Sequence, residues 1–469
     1  MTPEDILARQ ARAIDRRRDQ DALWQDCYDH VLPPATGGRV ALYDATAADA
    51  AEQLAASLLA ELTPPWSRWF GLAPARSVEG DTDAAMALED AAETLQGHFD
   101  RSNFALEMHQ AFLDLVIAGT GVLLVEEAPL GEASALRFTA VPLREAVLEE
   151  GPSGRLDTVY RAARLTEAEL RRRYPAAPLP PVSDDDADQP RHRVVEAVWP
   201  DWNGTRFMAI AATESGPVVL AEGRFAENPF IAFRWLKAPG ETYGRGPVAK
   251  ALPDIRTANK VVELVLKNAS IAATGIWQAD DDGVLNPATV RLEPGAIIPK
   301  APGSAGLTPL AAPGNFDVSQ LVLSDMRSRI RGALLADRLG PQRKDNMTAT
   351  EVLERAAETA RLLGATYGRL QSELLTPLVS RCLAILRRRG EVPPLLLGGQ
   401  EAVLRYRSPL AQVQGRADAA NTLLFLQAVR AMGNEAIAQI DMPAAARWLG
   451  RTLSAPAEIV LPPVQPHKE

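Results

Sequence analysis

The side chains with the plainest chemistry lie between Asp325 and Asp345. Six bases, Arg327, Arg329, Arg331, Arg338, Arg343 and Lys344, stand against three acids, Asp325, Asp337 and Asp345. That local excess of three positive charges sits in a chain of formal charge −10, from 50 Lys+Arg against 60 Asp+Glu. Arg327 and Arg331 are four residues apart, so a helix puts them on one face. Two readings fit: a solvated helix running into a basic loop, or a surface that meets a polyanion. The acidic total argues against a tight nucleic-acid binder, because phosphate binding draws on Lys and Arg that release counterions.

Other chemistry is hard to find. The sequence has no Gly-x4-Gly-Lys-Ser/Thr loop, His-Glu-x-x-His, Gly-x-Ser-x-Gly or Ser-x-x-Lys. His30, His98, His109, His192 and His467 are too scattered for a local metal cluster, and Cys27 and Cys382 offer neither a disulfide framework nor a thiolate zinc site. Asp184-Asp185-Asp186 lies in the Pro-rich stretch Pro175–Gln189 and reads as a solvated acidic loop rather than a cation site. Arg16-Arg17-Arg18, surrounded by Asp15, Asp19 and Asp21, reads as a solvated helix face. No cofactor, metal or catalytic residue is expected. A triad assembled from distant residues stays open as the alternative. No apolar run is long enough to span a bilayer, and Met1–Asp5 lacks the regions of a signal peptide, so the expectation is a product made in the cytosol.

Hydrophobic residues make up 46% and charged residues 23% of the 469, which excludes wholesale disorder and predicts roughly three structural units. Thr2-Pro3-Glu4-Asp5 starts a helix that runs to about Val31. Further helices are predicted over 45–62, 83–101 and 104–118. Gly119-Thr120-Gly121 ends the last of these and leads into a short strand, 122–125. The order helix, glycines, strand is the reverse of a phosphate cradle. Trp66, Trp69 and Phe70 are read as a loop pinned by its rings. Alternating segments in 135–163 and at 193–199, 206–212, 217–221 and 229–235 predict strands, and Thr166–Glu169 is a capping box. From Tyr243 the pattern changes: a helix over 248–272, a Gly- and Pro-rich insert over 275–315, a helix over 318–336, a loop over 337–348, and a helix of about 40 residues to Arg389. Pro377 predicts a kink in that last helix. Helices are expected at 416–432, 434–439 and 442–450. The fold class is α+β, mainly helical, with an elongated subunit.

Several segments, in order, resemble the head-to-tail connector (portal) proteins of short-tailed phages. They include Tyr43-Asp44-Ala45-Thr46 through Pro65, Ser102-Asn103-Phe104 through Gly121, and Phe233-Arg234-Trp235 with Pro239 through Pro247. Met347 through Val352, Leu370 through Leu378, and Tyr406-Arg407-Ser408-Pro409-Leu410-Ala411 follow. Together they cover most of residues 1–412.

The resemblance implies a ring, commonly of twelve subunits, at one capsid vertex of the virion, assembled in the host cytoplasm. On this sequence, 1–246 corresponds to the wing, 247–274 to the first stem helix, 275–315 to the clip and 316–336 to the second stem helix. Residues 337–348 correspond to the tunnel loop, 349–395 to the long kinked wing helix, and 396–469 to the crown and tail. The implied partners are other copies of the chain, the terminase motor and tail adaptor at the clip, major capsid and scaffolding proteins, and double-stranded DNA in weak contact; no membrane is implied. Arg327, Arg331, Arg338, Arg343 and Lys344 become candidates for the DNA-channel surface. The alternatives are another ring component, such as a tail adaptor or capsid protein, or an enzyme with a dispersed site.

Overall fold

The first helix begins where local chemistry requires it. The Thr2 hydroxyl accepts from the Asp5 amide, the Asp5 carboxylate accepts from the Thr2 amide at 3.0 Å, and Pro3 fills the first turn. This reciprocal cap satisfies donors that the helix cannot pair internally. In a computed structural model of the 469-residue chain, the described residues are 1–33, 38–65, 67–74, 82–178, 191–213, 216–274, 277–278, 302, 308–309, 316–336, 364, 366–393, 396–397, 400–406, 409–437 and 439–452.

The elements are α1 (Pro3–Val31), α2 (Thr46–Leu62), β1 (Phe70–Pro74), α3 (Thr82–Arg101) and α4 (Phe104–Ala118). Next come β2 (Thr120–Glu127), β3 (Leu136–Ala140), β4 (Ala146–Glu150), β5 (Leu156–Thr166) and α5 (Glu167–Arg173). The strands β6 (Arg191–Asp201), β7 (Gly204–Thr213), β8 (Gly216–Phe225) and β9 (Phe230–Arg234) follow. Then α6 (Pro247–Thr274) is joined through a small strand pair, Trp277–Gln278 with Thr308–Pro309, to α7 (Phe316–Ala333). A π-helical turn, Gln371–Leu375, leads into α8 (Thr376–Arg389), and helices Pro409–Met432, Asn434–Ile437 and Met442–Thr452 close the described chain.

Among the described residues the two sheets nearest the core are antiparallel, one ordered β4-β5-β6-β7-β8 and one ordered β3-β2-β9; β1 and the pair Trp277–Gln278 with Thr308–Pro309 belong to two smaller sheets. The largest core lies between the second sheet and the helices. Leu54 and Leu58 of α2, Phe112 and Leu115 of α4, and Leu378 and Ile385 of α8 are all buried in it. The ring cluster at its edge explains the aromatic-rich segment after α2. Trp69 and Phe70 are 4.8 Å apart between centroids and pack on Phe99 and Phe104, themselves 4.6 Å apart.

Some expectations needed correction. Phe70–Pro74 is a strand, not a loop: it pairs antiparallel with Ala402–Tyr406 from the far end of the chain. Arg17 is not on a solvated face. It is 5% exposed and donates to the carbonyls of Leu143 and Ala146, which no helical period can foretell. Just before Pro377, where a kink is expected, the structure has a π turn in which the Thr376 amide reaches back five residues to the Gln371 carbonyl. Proline has no N–H to continue the ordinary ladder, so the adjacent turn is where the register can loosen. The second helix of the 248–336 region ends at Ala333, three residues early, where Leu335 turns to φ +55°. The loop 337–348, and the start of the 40-residue helix, lie outside the described residues.

Two glycine segments that look like loops are a packing joint. Gly119 caps α4 with φ +86°, and the Trp235 amide donates to its carbonyl at 2.9 Å. Opposite it runs Gly244-Arg245-Gly246, with the Gly244 amide donating to the Thr120 hydroxyl at 2.8 Å. A Cβ on Gly119 would overlap the backbone of Gly244, Arg245 and Gly246, and one on Gly244 would overlap Gly119. The glycines therefore set how closely the chain entering α6 approaches the end of α4.

A second joint is ionic. Arg234, at the end of β9, is fully buried. Its backbone amide, Nε and Nη2 all donate to the Glu373 carboxylate of the π turn, the last at 2.6 Å. The same guanidinium donates to the carbonyls of Thr242 (3.0 Å) and Gly154 (2.9 Å) and lies 3.5 Å from Glu150. One side chain thus ties both sheets, the approach to α6 and the helix that ends in α8. The glycine joint gives a direct expectation. Gly119→Ala combines a left-handed backbone with a collision that has no flexible side chain to yield, and should lower unfolding free energy by about 2–4 kcal/mol. Denaturant unfolding of purified wild type and variant measures it; an unchanged midpoint would show that the joint is not close-packed.

Candidate functional site

The helices α6 and α7 pack on each other and run in opposite directions, since Arg329, late in α7, reaches Asp254, early in α6, at 3.0 Å. Their near ends are embedded: Val248, Ala251, Leu252, Ile255 and Ala258 of α6, and Ile330 of α7, are buried. Their far ends are not. Leu264, Leu266 and Leu321 are 49%, 52% and 73% exposed. The pair leaves the body of the subunit carrying apolar side chains into the open.

The pair carries seven Lys or Arg against four Asp or Glu, and most of that charge is internally matched. Arg256 pairs with Asp26 of α1, Arg329 with Asp254, and Lys260 and Lys267 both with Glu263. Hydrogen bonds from Lys260 and then Lys267 hold the Glu263 carboxyl down to about 2. Lys250 and Arg331 are exposed and have no ion-pair partner among the described residues.

Arg327 has a different setting from Arg331, although both were placed on one face. Its Nε donates to Asp44 at 2.8 Å. Asp44 is only 6% exposed and also accepts from the Thr46 amide at 3.0 Å, capping the start of α2. The neighbouring backbone is gripped from α6. Asn259 Oδ1 accepts from the Tyr43 amide (2.7 Å) and the Asp44 amide (3.2 Å), and its Nδ2 donates to the Ala41 carbonyl (3.0 Å). Residues 41–46 are therefore clamped to both exposed helices at once. Burial pushes the Asp44 carboxyl up, but the hydrogen bonds from Thr46 and Arg327 outweigh it and leave it below the ordinary aspartate value.

Asp44 and Asn259 were not singled out from the sequence. The available signal was Asn259, a polar residue interrupting the apolar stripe of Ile255, Ala258 and Val262. Of the five residues proposed for a channel surface, Arg327 and Arg331 are described; Arg338, Arg343 and Lys344 lie outside the described residues. Among the described residues no group of His, Cys, Asp and Glu could hold a metal ion, and no helix is long and apolar enough to cross a membrane.

The likeness to known proteins runs along nearly the whole sequence and is not confined to one segment. A family model described as bacteriophage head to tail connecting protein matches residues 4–460. The chain belongs to that family. Its members are structural parts of a phage particle, not enzymes. Among curated relatives of this connector, the probable portal protein of Bordetella phage BPP-1 is 25% identical over 463 residues, covering 89% of this chain and 80% of its own. The portal protein of Enterobacteria phage T3 is 20% identical over 464 residues, covering 90% and 85%. A chain in a solved structure titled "Virion of native gene transfer agent (GTA) particle" overlays with a TM-score of 0.39 at 12% identity, covering 89% of this chain and 91% of that one.

The clamp in this connector has a testable weight. Replacing Asp44 by Asn leaves the Arg327 partner and the α2 cap weakened, and should lower unfolding free energy at neutral pH by about 1–3 kcal/mol. Because the folded carboxyl sits below its unfolded value, its contribution is present above about pH 4 and fades as pH falls through the folded value. Urea unfolding should show the two proteins converging in acid. A gap that persists undiminished at low pH would mean that the charge of Asp44 contributes nothing.

Proposed function

We propose that this connector is the portal subunit: a closed ring at one capsid vertex of the virion, through which DNA is driven in by a separate motor and leaves at infection. The observation that supports this most is the family match across residues 4–460, reinforced by curated relatives named portal proteins over about nine tenths of the chain. The same relatives favour a portal over a tail adaptor or a capsid component.

In this reading residues 1–246 are the wing, 247–274 and 316–336 the stem, and 275–315 the clip, which meets the terminase motor and later the tail adaptor. Residues 337–348 are the tunnel loop, 349–395 the long wing helix and 396–469 the crown. Capsid and scaffolding proteins hold the ring, which forms in the host cytoplasm.

A head-to-tail ring needs two different complementary faces on each subunit. The exposed part of α6 is suited to this. Leu264 and Leu266 are two positions apart and so about 200° apart around the helix, yet each is about half exposed in the single chain. Apolar residues on opposite flanks fit a helix with a neighbour on either side. Twelve copies of 50.6 kDa would weigh about 607 kDa. Native mass measurement should find a large closed ring for the wild type. Leu264→Asp and Leu266→Asp should each block ring closure, leaving a folded subunit with unchanged circular dichroism. A wild type that stays monomeric at micromolar concentration contradicts the portal reading.

The channel follows from charge. A wall of net negative subunits repels a polyanion and lets it slide, while a few bases touch phosphates briefly. Arg331, Arg338, Arg343 and Lys344 are the residues assigned to that contact. Arg327 belongs with them by position, but its guanidinium is already engaged by Asp44. Neutralising Arg338, Arg343 and Lys344 together should reduce packaging or DNA retention with rings intact, scored by genome content of particles. Normal packaging and retention in that variant would remove the phosphate-contact role.

A further inference from the structure

His98, buried on α3, sits where three parts of the chain meet. On one side is the connection between β2 and β3, residues 128–135; on the other is the chain just past α8. The Ala135 amide donates to His98 Nδ1 at 3.1 Å, so Nδ1 is the bare nitrogen. The ring proton is then on Nε2, which donates to the Glu391 carboxylate at 2.7 Å. Ser134 completes the group. Its hydroxyl donates to the His98 carbonyl at 2.9 Å and accepts from the Leu136 amide at 3.2 Å. Serine, histidine and glutamate in a row are the parts of a nucleophilic triad. They do not work as one here, because Ser134 is buried and its proton is given to a carbonyl rather than to the imidazole. What the group can do is take up a second proton on the ring.

We propose that His98 is a pH-operated coupler, which on protonation releases the 128–135 connection and tightens on the end of α8. With a proton on each nitrogen, Nδ1 becomes a donor facing another donor, the Ala135 amide. Ala135 is buried, so that amide regains a partner only if the connection opens to water. The new Nδ1 proton has an acceptor within reach, since Ser134 Oγ stands 3.3 Å away and keeps a second lone pair. On the other side the bond from Nε2 to Glu391 becomes charge-assisted. Burial pushes the Glu391 carboxyl up, but the hydrogen bonds from His98 and Arg389 outweigh it and hold it below the ordinary glutamate value. Glu391 is therefore an anion throughout the range in which a histidine changes charge. The other charged groups beside the coupler are already matched. Arg389 Nε donates to Glu391 at 2.7 Å and its guanidinium lies 3.6 Å from Glu127, which Arg388 also engages. On the hairpin Glu132 pairs with Arg137. The ring thus stands between one carboxylate that favours its charge and one backbone donor that opposes it. What protonation frees is the connection that carries the exposed Leu130, while Arg388 and Glu127 keep its base tied to α8. The coupler works within one subunit and does not depend on the portal reading.

The test is hydrogen exchange on the purified full-length protein from about pH 5 to about pH 8, corrected for the intrinsic pH dependence of amide exchange. In the wild type, protection across 129–136 should fall by about tenfold between neutral and acid pH, the weight of one lost hydrogen bond at a buried amide. Peptides from 121–126, on β2, should change by less than about twofold over the same range. His98→Gln keeps an acceptor for Ala135 and a donor for Glu391 but takes up no proton, so its protection across 129–136 should not depend on pH. Glu391→Gln removes the anion that favours the charged ring, so the loss of protection should move to lower pH. This second variant decides the matter should His98→Gln fail to fold. A flat wild-type profile overturns the coupler, as does a pH dependence that survives in His98→Gln. A midpoint that Glu391→Gln leaves in place or raises overturns it too. Equal loosening of 121–126 and 129–136 would show general acid unfolding and overturn it as well.

Discussion

A positive charge with no access to water, Arg234, ties residues 150–154, Thr242 and Glu373 to the end of β9. A buried ion pair adds little net stability, because desolvation offsets most of the attraction, yet removing one partner costs about 3–5 kcal/mol. Its value is in what it forbids. Glu373, Glu150 and the carbonyls of Thr242 and Gly154 must all converge on one guanidinium. Few arrangements of two sheets and a long helix satisfy that demand. The pair therefore selects a geometry more than it strengthens one.

The glycine joint works beside it by removing volume instead of adding charge. Arg234 ends β9, Trp235 donates to Gly119, and Gly244 lies against Gly119 within a few residues of the Thr242 carbonyl. Buried ion pair and bare-backbone contact thus fix the same short stretch, residues 234–246, from which α6 departs. The clamp of Asp44, Asn259 and Arg327 then fixes the pair α6–α7 from its other side. The exposed helix pair is held at its base by three independent kinds of contact. None of them lies at the far end, where Leu264 and Leu321 are exposed.

What could be read from the sequence follows the range of the interactions. The caps Thr2–Asp5 and Thr166–Glu169 span three residues, and both helices start where those caps predict. Helices α2, α4, α6 and the long strands follow from periodicities that short windows contain. The pairing of Phe70 with Tyr406 does not, nor does the contact of Arg327 with Asp44, 283 residues away, or of Arg234 with Glu373, 139 away. Arg17 was misread for the same reason: its acidic neighbours in sequence are local, whereas its acceptors, Leu143 and Ala146, are not. The quoted family segments contain Asp44, Gly119, Arg234, Gly244 and Glu373, so the ordered resemblance already held the joints, though not what they join.

The charge pattern that first drew attention to 325–345 also changes meaning at close range. Counting puts Arg327, Arg329 and Arg331 together in one basic stretch. Contacts separate them: Arg327 is committed to Asp44, Arg329 to Asp254, and Arg331 stands exposed. Lys260 and Lys267 are likewise spent on Glu263. A helix pair with a basic composition thus presents little unpaired positive charge along its described length. Bases that pair within the subunit orient the two helices, and of the bases on the described part of the pair only Lys250 and Arg331 have no acid of their own among the described residues.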